Sequence, residues 1–291
     1  MMTSRYIDPT TDFGFKRLFG QEESKDILKQ FLFDILDLPH PIVELYYIPT
    51  EQVPTVAGDR LSIYDVYCTD SEGRRFIVEM QRNRQAYYKE RSLYYVTFPI
   101  VQQVQKGEDK PPFLLLPIYC VSVLNFRIDN TRRSSFLRRV QLADTETGEV
   151  FYQGLTFVFI ELPKFTRTLD EVTTAVDRWL YLLRHMPTLK EVPDKLAQDP
   201  FLHAFQIAEQ SNLTSDEWMM YEGSLKRIRD ELGVYYTGRE EGREEGREEG
   251  REEGREERTR EIARTLLRRG LDHSAIAEIT GLSPDDIENL E

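Results

Sequence analysis

The chain has 291 residues, 40% of them hydrophobic and 11% aromatic, and a formal net charge of −13. That is enough apolar material for one large core or two modest ones, and with a negative mean hydropathy it excludes a membrane-embedded protein. No apolar run approaches the roughly 18–20 residues of a spanning helix. The opening MMTSRYIDPTTDFG has no apolar stretch of the kind a secretory signal carries. Cys68 and Cys120 lie in apolar runs without a CxxC pair, and the four histidines are scattered. Buried thiols of a cytoplasmic protein are therefore expected, not a zinc site.

In chain order, Phe15, Leu18 and Phe19, then Ile27, Leu28, Phe31, Leu32, Ile35 and Leu36, recur at helical spacing. The first 40 residues are predicted to be helical, stopped by LPHP at 38–41. Residues 42–48 predict a short strand. Residues 61–68 (LSIYDVYC) and 74–81 (RRFIVEMQ) read as strands around the turn TDSEG. Residues 83–106 have a helical period, with Pro99 expected to kink or interrupt it. Residues 113–126 (FLLLPIYCVSVLNF) form the near-continuous apolar run of a strand buried on both faces, and 155–161 (LTFVFIE) a second. Residues 168–235 read mostly as helix, with Thr214 and Glu217 spaced as a capping box. Helix, strands, helix, strand is the order of a mixed α/β core, expected over 1–165 and followed by a helical extension over 166–237.

The sharpest chemical signal lies in 61–81. With Ser71-Glu72-Gly73 as a three-residue hairpin loop and Gly73 in the left-handed conformation, Asp70 faces Arg74. Asp65 then falls opposite Glu79 and Ile63 opposite Gln81. Alternation puts Ile63, Asp65, Tyr67, Ile77, Glu79 and Gln81 on one face. Facing carboxylates repel unless something positive sits between them. A hard divalent cation, Mg²⁺ or Mn²⁺, suits oxygen donors, activates water and neutralises charge on a phosphate. The Gln81 amide would orient that water or a phosphate oxygen. The competing reading is a half-exposed sheet whose polar face is acidic, and a register slip of one residue would part the two acids.

Charge is unevenly spread. Residues 238–291 hold 10 Lys+Arg against 17 Asp+Glu, a net −7, and the body holds a net −6. Within the body, Arg74, Arg75, Arg82, Arg84, Lys89 and Arg91 cluster, as do Arg127, Arg132, Arg133, Arg138 and Arg139. Local basic patches on an acidic protein hold a phosphate backbone; solvated surface charge is the competing account. Arg82, Arg84, Lys89 and Arg91 interleave with Tyr87, Tyr88, Tyr94 and Tyr95, a mixture suited to strained or single-stranded DNA. Tyrosines packed in the core would be the plainer reading.

Taken together, YIDPTTDFGFKRLFG, YDVYC, FIVEMQ, YYKERSLYYVTFPIVQQVQKGED and PIYCVSVLNF resemble the Rpn family of recombination-promoting nucleases, many of whose members are described as transposases. The similarity covers residues from about 5 to about 235. It implies a PD-(D/E)xK, restriction-endonuclease-like fold, αβββαβ around a mixed sheet. It also implies a metal-dependent DNA endonuclease of low sequence specificity, linked to recombination or mobile elements. Asp65 and Glu79 would be catalytic acids and ligands of Mg²⁺ or Mn²⁺, with the catalytic Gln81 in the lysine position, which this family commonly fills with Gln. Arg91 and Gln103 match polar positions on the following helix and, with Arg82 and Arg84, would bind the DNA phosphates. Asp12 matches an acidic position in the opening helix, where it would assist the metal or cap the helix. The chain departs from the pattern at Gln81, which carries no charge, and at Lys110, where many relatives have Tyr. The alternative is a non-catalytic, DNA-associated assembly protein that keeps the fold. A transposase with dispersed acids fits poorly, because Asp65 and Glu79 fall on one hairpin.

Residues 238–257 are five copies of GREE. Each glycine costs about 1 kcal/mol against alanine in a helix. Glu–Glu and Arg–Arg meet at i+4, while Glu240–Arg243 attract at i+3. Without an apolar stripe, a frayed, solvated helix or a flexible linker is expected. Residues 258–291 predict a small helical tail: a helix over 261–269 closed by Gly270, another over 274–280, and a third opened by Pro284. IAEITGLS, with Ala277 and Gly281 four apart, resembles the turn of a helix-turn-helix. The following PDDIENLE is acidic and opposes phosphate, which favours protein contact or homo-oligomerisation over DNA reading.

Overall fold

Thr11 starts the first helix of the computed structural model, α1 (Asp12–Phe19), by accepting the Gly14 N–H on its hydroxyl at 2.9 Å. The structure describes residues 4–52, 62–104, 113–129 and 135–290. It divides into two units, Met1–Leu225 and Lys226–Glu291. A second helix, α2 (Lys25–Leu36), ends where Asp37 turns left-handed (φ 55°) just before LPHP.

The first unit holds strands β1 (Leu45–Tyr47), β2 (Glu51–Gln52), β3 (Ser62–Ile63), β4 (Val66–Asp70) and β5 (Arg75–Gln81). Then follow helix α3 (Tyr88–Gln103) and strands β6 (Ile118–Leu124), β7 (Leu137–Ala143) and β8 (Val150–Glu161). Six of the strands form one mixed sheet in the order β1-β4-β5-β6-β8-β7, with β5, β6 and β8 parallel. Alternation along β4 and β5 splits the core. Val66, Cys68, Phe76 and Val78 pack with α1, α2, α4 (Ala175–His185) and α5 (Phe201–Ala208), around Trp179. Tyr67 and Ile77 face α3 with Tyr88, Tyr95, Phe157 and Phe159. The expected mixed α/β core is present.

Four elements differ from the sequence reading. Residues 62–68 contribute to two strands, not one, since the chain bends at Asp65; residue 61 lies outside the described residues. Ile63 pairs with Glu51 in a separate two-stranded sheet and is exposed, so it does not lie opposite Gln81. The apolar run 113–126 gives strand only from Ile118; Pro117 has no N–H for a ladder, and Phe113 and Leu114 are exposed. β7 carried no clear signal, because Arg138 and Arg139 break its alternation at the sheet edge.

The fourth difference is Pro99, which lies inside α3 without ending it. Proline leaves the Tyr95 carbonyl, four residues back, without its helical donor. The buried Tyr64 hydroxyl donates to that carbonyl at 2.8 Å. Tyr64→Phe is therefore expected to cost about 1–3 kcal/mol of stability, the penalty for an orphaned buried acceptor, read from urea denaturation.

The second unit takes in residues of α6 (Ser215–Arg268), α7 (His273–Thr280) and α8 (Pro284–Glu288). Ala263, Ile276 and Ile287 form its small core with Leu266, Leu267 and Leu271 around them. Gly281 caps α7 in the left-handed region (φ 74°), its N–H donating to the Ala277 carbonyl at 2.8 Å. The GREE repeat lies within α6 with exposed side chains, the helical one of its two expected forms. Among the described residues, no helix is long and apolar enough to cross a membrane.

Candidate active site

Gly73 adopts φ 78° and the hairpin pairs Val66 with Val78, Tyr67 with Ile77 and Cys68 with Phe76. Continued outward, this register sets Asp65 against Glu79. The ladder does not continue, however. Met80 N–H, whose partner in a regular ladder would be the Tyr64 carbonyl, donates instead to Asp65 Oδ2 at 2.7 Å. Tyr64 N–H turns away to the Thr50 carbonyl at 3.0 Å. Asp65 N–H donates to Glu79 Oε1 at 3.2 Å. Asp65 thus takes the backbone proton that the break in the ladder releases, Glu79 takes the Asp65 N–H, and the two acids are held as neighbours. On the other flank, Ser122 of β6 is in register with Glu79, and its buried hydroxyl has no hydrogen-bond partner among the described residues.

Glu79 is only 4% exposed. Burial, then the neighbouring Asp65 charge, push its carboxyl well above the usual range. Burial raises Asp65 too, against the Met80 N–H that holds it down. Two cations oppose these shifts. Arg91, one turn into α3, donates to the Tyr95 hydroxyl and to Gln85 Oε1, both at 2.5 Å, and favours the ionised form of both acids. Lys16 of α1, paired with Asp12 at 2.8 Å, does the same. Lys16 was missed by the sequence reading, although it sits one helical turn after Asp12 in a motif already singled out.

The remaining site residues sort by position. Gln81 ends β5 and donates weakly to the Asn83 carbonyl at 3.4 Å. Asp12 does not cap α1, since Thr11 does. Nor do Asp12, Asp65 and Glu79 gather into one metal-sized group; no cluster of three such ligands exists among the described residues. Arg84 is exposed and makes no ion pair or hydrogen bond with the described residues. Arg82 is engaged by Asp8 Oδ2 at 2.9 Å and Thr10 Oγ1 at 2.6 Å.

Gln103 is not brought to the acids. Twelve residues along α3 from Arg91, it lies about 18 Å farther along the helix, clamped to the Leu116 backbone at 2.6 and 3.3 Å beside Arg75. In the second basic cluster, Arg138 pairs with Asp129 at 3.1 Å and Arg139 donates to the Ile35 carbonyl at 2.9 Å. Both are structural. Arg132, Arg133 and Lys110 lie outside the described residues. Tyr88 and Tyr95 are core, whereas Tyr87 is exposed.

The donor set fits a hard divalent ion. Asp65 Oδ1 and Glu79 Oε2 accept nothing from the described residues. An ion held by one or two carboxylates and completed by water and phosphate is the habit of Mg²⁺, not of zinc. Asp65 and Glu79 would hold it.

Residues 256–291 match the Rpn/YhgA-like nuclease family, C-terminal HTH domain. That match takes up the helix-turn-helix reading of IAEITGLS. No curated protein and no solved structure gave a significant match. Residues 9–236, most of the chain and all of the site just described, match the PD-(D/E)XK nuclease family transposases, and the chain belongs to that family.

Proposed function

We propose that the protein is a metal-dependent endonuclease that hydrolyses DNA phosphodiesters with low sequence specificity, in the service of recombination or mobile elements. The observation that carries this reading is the carboxylate pair: Glu79 buried and Asp65 half-buried, mutually repelling, each fixed by one backbone N–H, of Asp65 and Met80 respectively, and with one open oxygen on each acid. Two ionised carboxylates so placed repel each other unless a cation completes them. Bound Mg²⁺ or Mn²⁺ would supply an activated water and neutralise charge on the phosphate. Asp65 and Glu79 hold the ion, and Gln81 orients water or phosphate without exchanging a proton at neutral pH. Arg91, exposed Arg84 and Lys16 set a positive field for the DNA backbone, and the helix-turn-helix tail adds a second DNA contact.

Plasmid nicking tests this. The purified chain is expected to nick DNA with Mg²⁺ and not with EDTA. Asp65→Ala and Glu79→Ala should each lose more than about 100-fold, the most that outer-shell changes at metal sites typically give. Activity unchanged in both variants would sink the proposal. Asp65, Glu79 and Gln81 together favour the enzyme over the alternative, a DNA-associated protein that keeps the fold without catalysis and assembles through its tail. The alternative gains if every sample binds DNA and none nicks it.

A further inference from the structure

The carboxyl ends of β5, β6 and β8 open onto a cavity of about 280 Å³ that the acid pair does not use. Ligands of open α/β sheets sit outside the carboxyl ends of parallel strands. Arg82, Asn125, Arg184, Thr10 and Asp8 line this cavity. Both arginines are held in place. Arg82 Nη1 is fixed by Asp8 and Thr10 as described, and Arg184 Nη1 donates to the carbonyls of Leu162 at 2.5 Å and Phe165 at 2.7 Å. Their Nε and Nη2 donors have no partner among the described residues, nor has the Asn125 side-chain amide. The one carboxylate among the described lining residues, Asp8, is already taken up by Arg82 and by Thr10, whose N–H and hydroxyl reach it at 2.8 and 2.7 Å. What remains is two oriented guanidinium groups, which only donate, and an amide, whose NH2 can donate, around a space somewhat below the roughly 300–1,000 Å³ of drug-sized pockets. Planar, pre-aimed guanidinium donors match tetrahedral oxyanions.

The cavity adjoins Gln81, two residues from Glu79, twice. Arg82 follows Gln81 in the chain, and Asn125 N–H donates to the Gln81 carbonyl at 2.9 Å. We propose that this cavity holds a phosphate group of the substrate strand, next along the backbone from the phosphate at Asp65 and Glu79. The inference rests on the nuclease reading for the polymer that supplies the phosphate.

The test is steady-state cleavage by the full chain with Mg²⁺ over a range of salt. Asn125→Asp places a carboxylate at the cavity without removing any hydrogen bond of the fold. It is expected to raise KM about tenfold or more by like-charge repulsion, with kcat within about twofold. Arg184→Gln should raise KM similarly and lower the salt slope of binding by about 1. Because Arg184 also caps two carbonyls, its melting temperature is measured alongside. Unchanged KM in Asn125→Asp overturns the proposal.

Inorganic phosphate, titrated in a thermal-shift assay, separates the sources of the anion. If it stabilises the wild type but not Asn125→Asp while DNA kinetics are identical, the pocket serves a free anion and the strand assignment falls. If the wild type cleaves nothing, the nuclease reading falls instead. The phosphate titration then decides the pocket alone: stabilisation lost in Asn125→Asp supports an anion site, and equal behaviour rejects it.

Discussion

Glu79→Gln is expected to melt at a higher temperature than the wild type in EDTA, while cutting no DNA. Gln keeps the Oε1 acceptor that Asp65 N–H uses and removes a charge that burial and Asp65 both disfavour. The sign follows from proton linkage. Folded Glu79 holds its proton to a higher pH than the unfolded chain, whose carboxyl titrates near 4.5. Its favourable contribution is complete below that pH and is lost as pH rises through the folded value. Over that window the metal-free wild type loses up to about 1.4 kcal/mol per pH unit relative to Glu79→Gln. For a chain of this size that is about 3–5 °C per pH unit. Mg²⁺ reverses the trend for the wild type alone, because it rewards the ionised acid. Melting curves from pH 5 to 9, with EDTA and with Mg²⁺, check this. A Glu79→Gln protein that melts below the wild type at pH 8 in EDTA would show that the acid is paired in some other way.

Lys16→Met is expected to slow cleavage on the order of tenfold at acid pH, less than the roughly 10²–10³ lost with a fully committed electrostatic donor. Lys16 is half-exposed and shared with Asp12. Its charge favours ionisation of Asp65 and Glu79, and metal binding needs both acids ionised. Removing it raises both pKa values, so the acidic limb of the pH–rate profile moves to higher pH. Lys16→Arg should leave the limb in place. Asp12→Asn should move it the other way, because the Asp12 charge raises Asp65. A purely structural role for Lys16 would lower the rate at every pH and leave the limb unmoved. With Gln81 neutral, Lys16 and Arg91 are the cations whose charge acts on both acids.

The register of the acids was legible because it is local: Gly73 fixes the turn, and a turn fixes every pair beyond it. The bend at Asp65 was not legible, since it depends on Met80 N–H finding a carboxylate fifteen residues away in sequence. Pro99 was misjudged for the same reason; the hydroxyl that satisfies the Tyr95 carbonyl comes from Tyr64, thirty-one residues back. β7 stayed hidden because Arg138 and Arg139 read as surface charge, and their partners Asp129 and the Ile35 carbonyl lie elsewhere in the chain. Gln103 could have been set aside from sequence alone, since helical rise separates it from Arg91. The acidic α8 argued against DNA reading, yet the tail matches a helix-turn-helix domain, in which Arg264 and Arg268 of α6 supply the positive charge that α8 lacks.

The two acids are not equally expendable, because only Asp65 replaces a bond of the sheet. A lineage relieved of selection for cleavage can lose the Glu79 charge and gain stability in the same step. Loss of the Asp65 side chain instead leaves the Met80 amide without an acceptor and loosens the hairpin. Decay of this site is therefore a one-way path that begins at Glu79, and a descendant that has taken the first step would still fold, keep its aspartate and resemble a working enzyme.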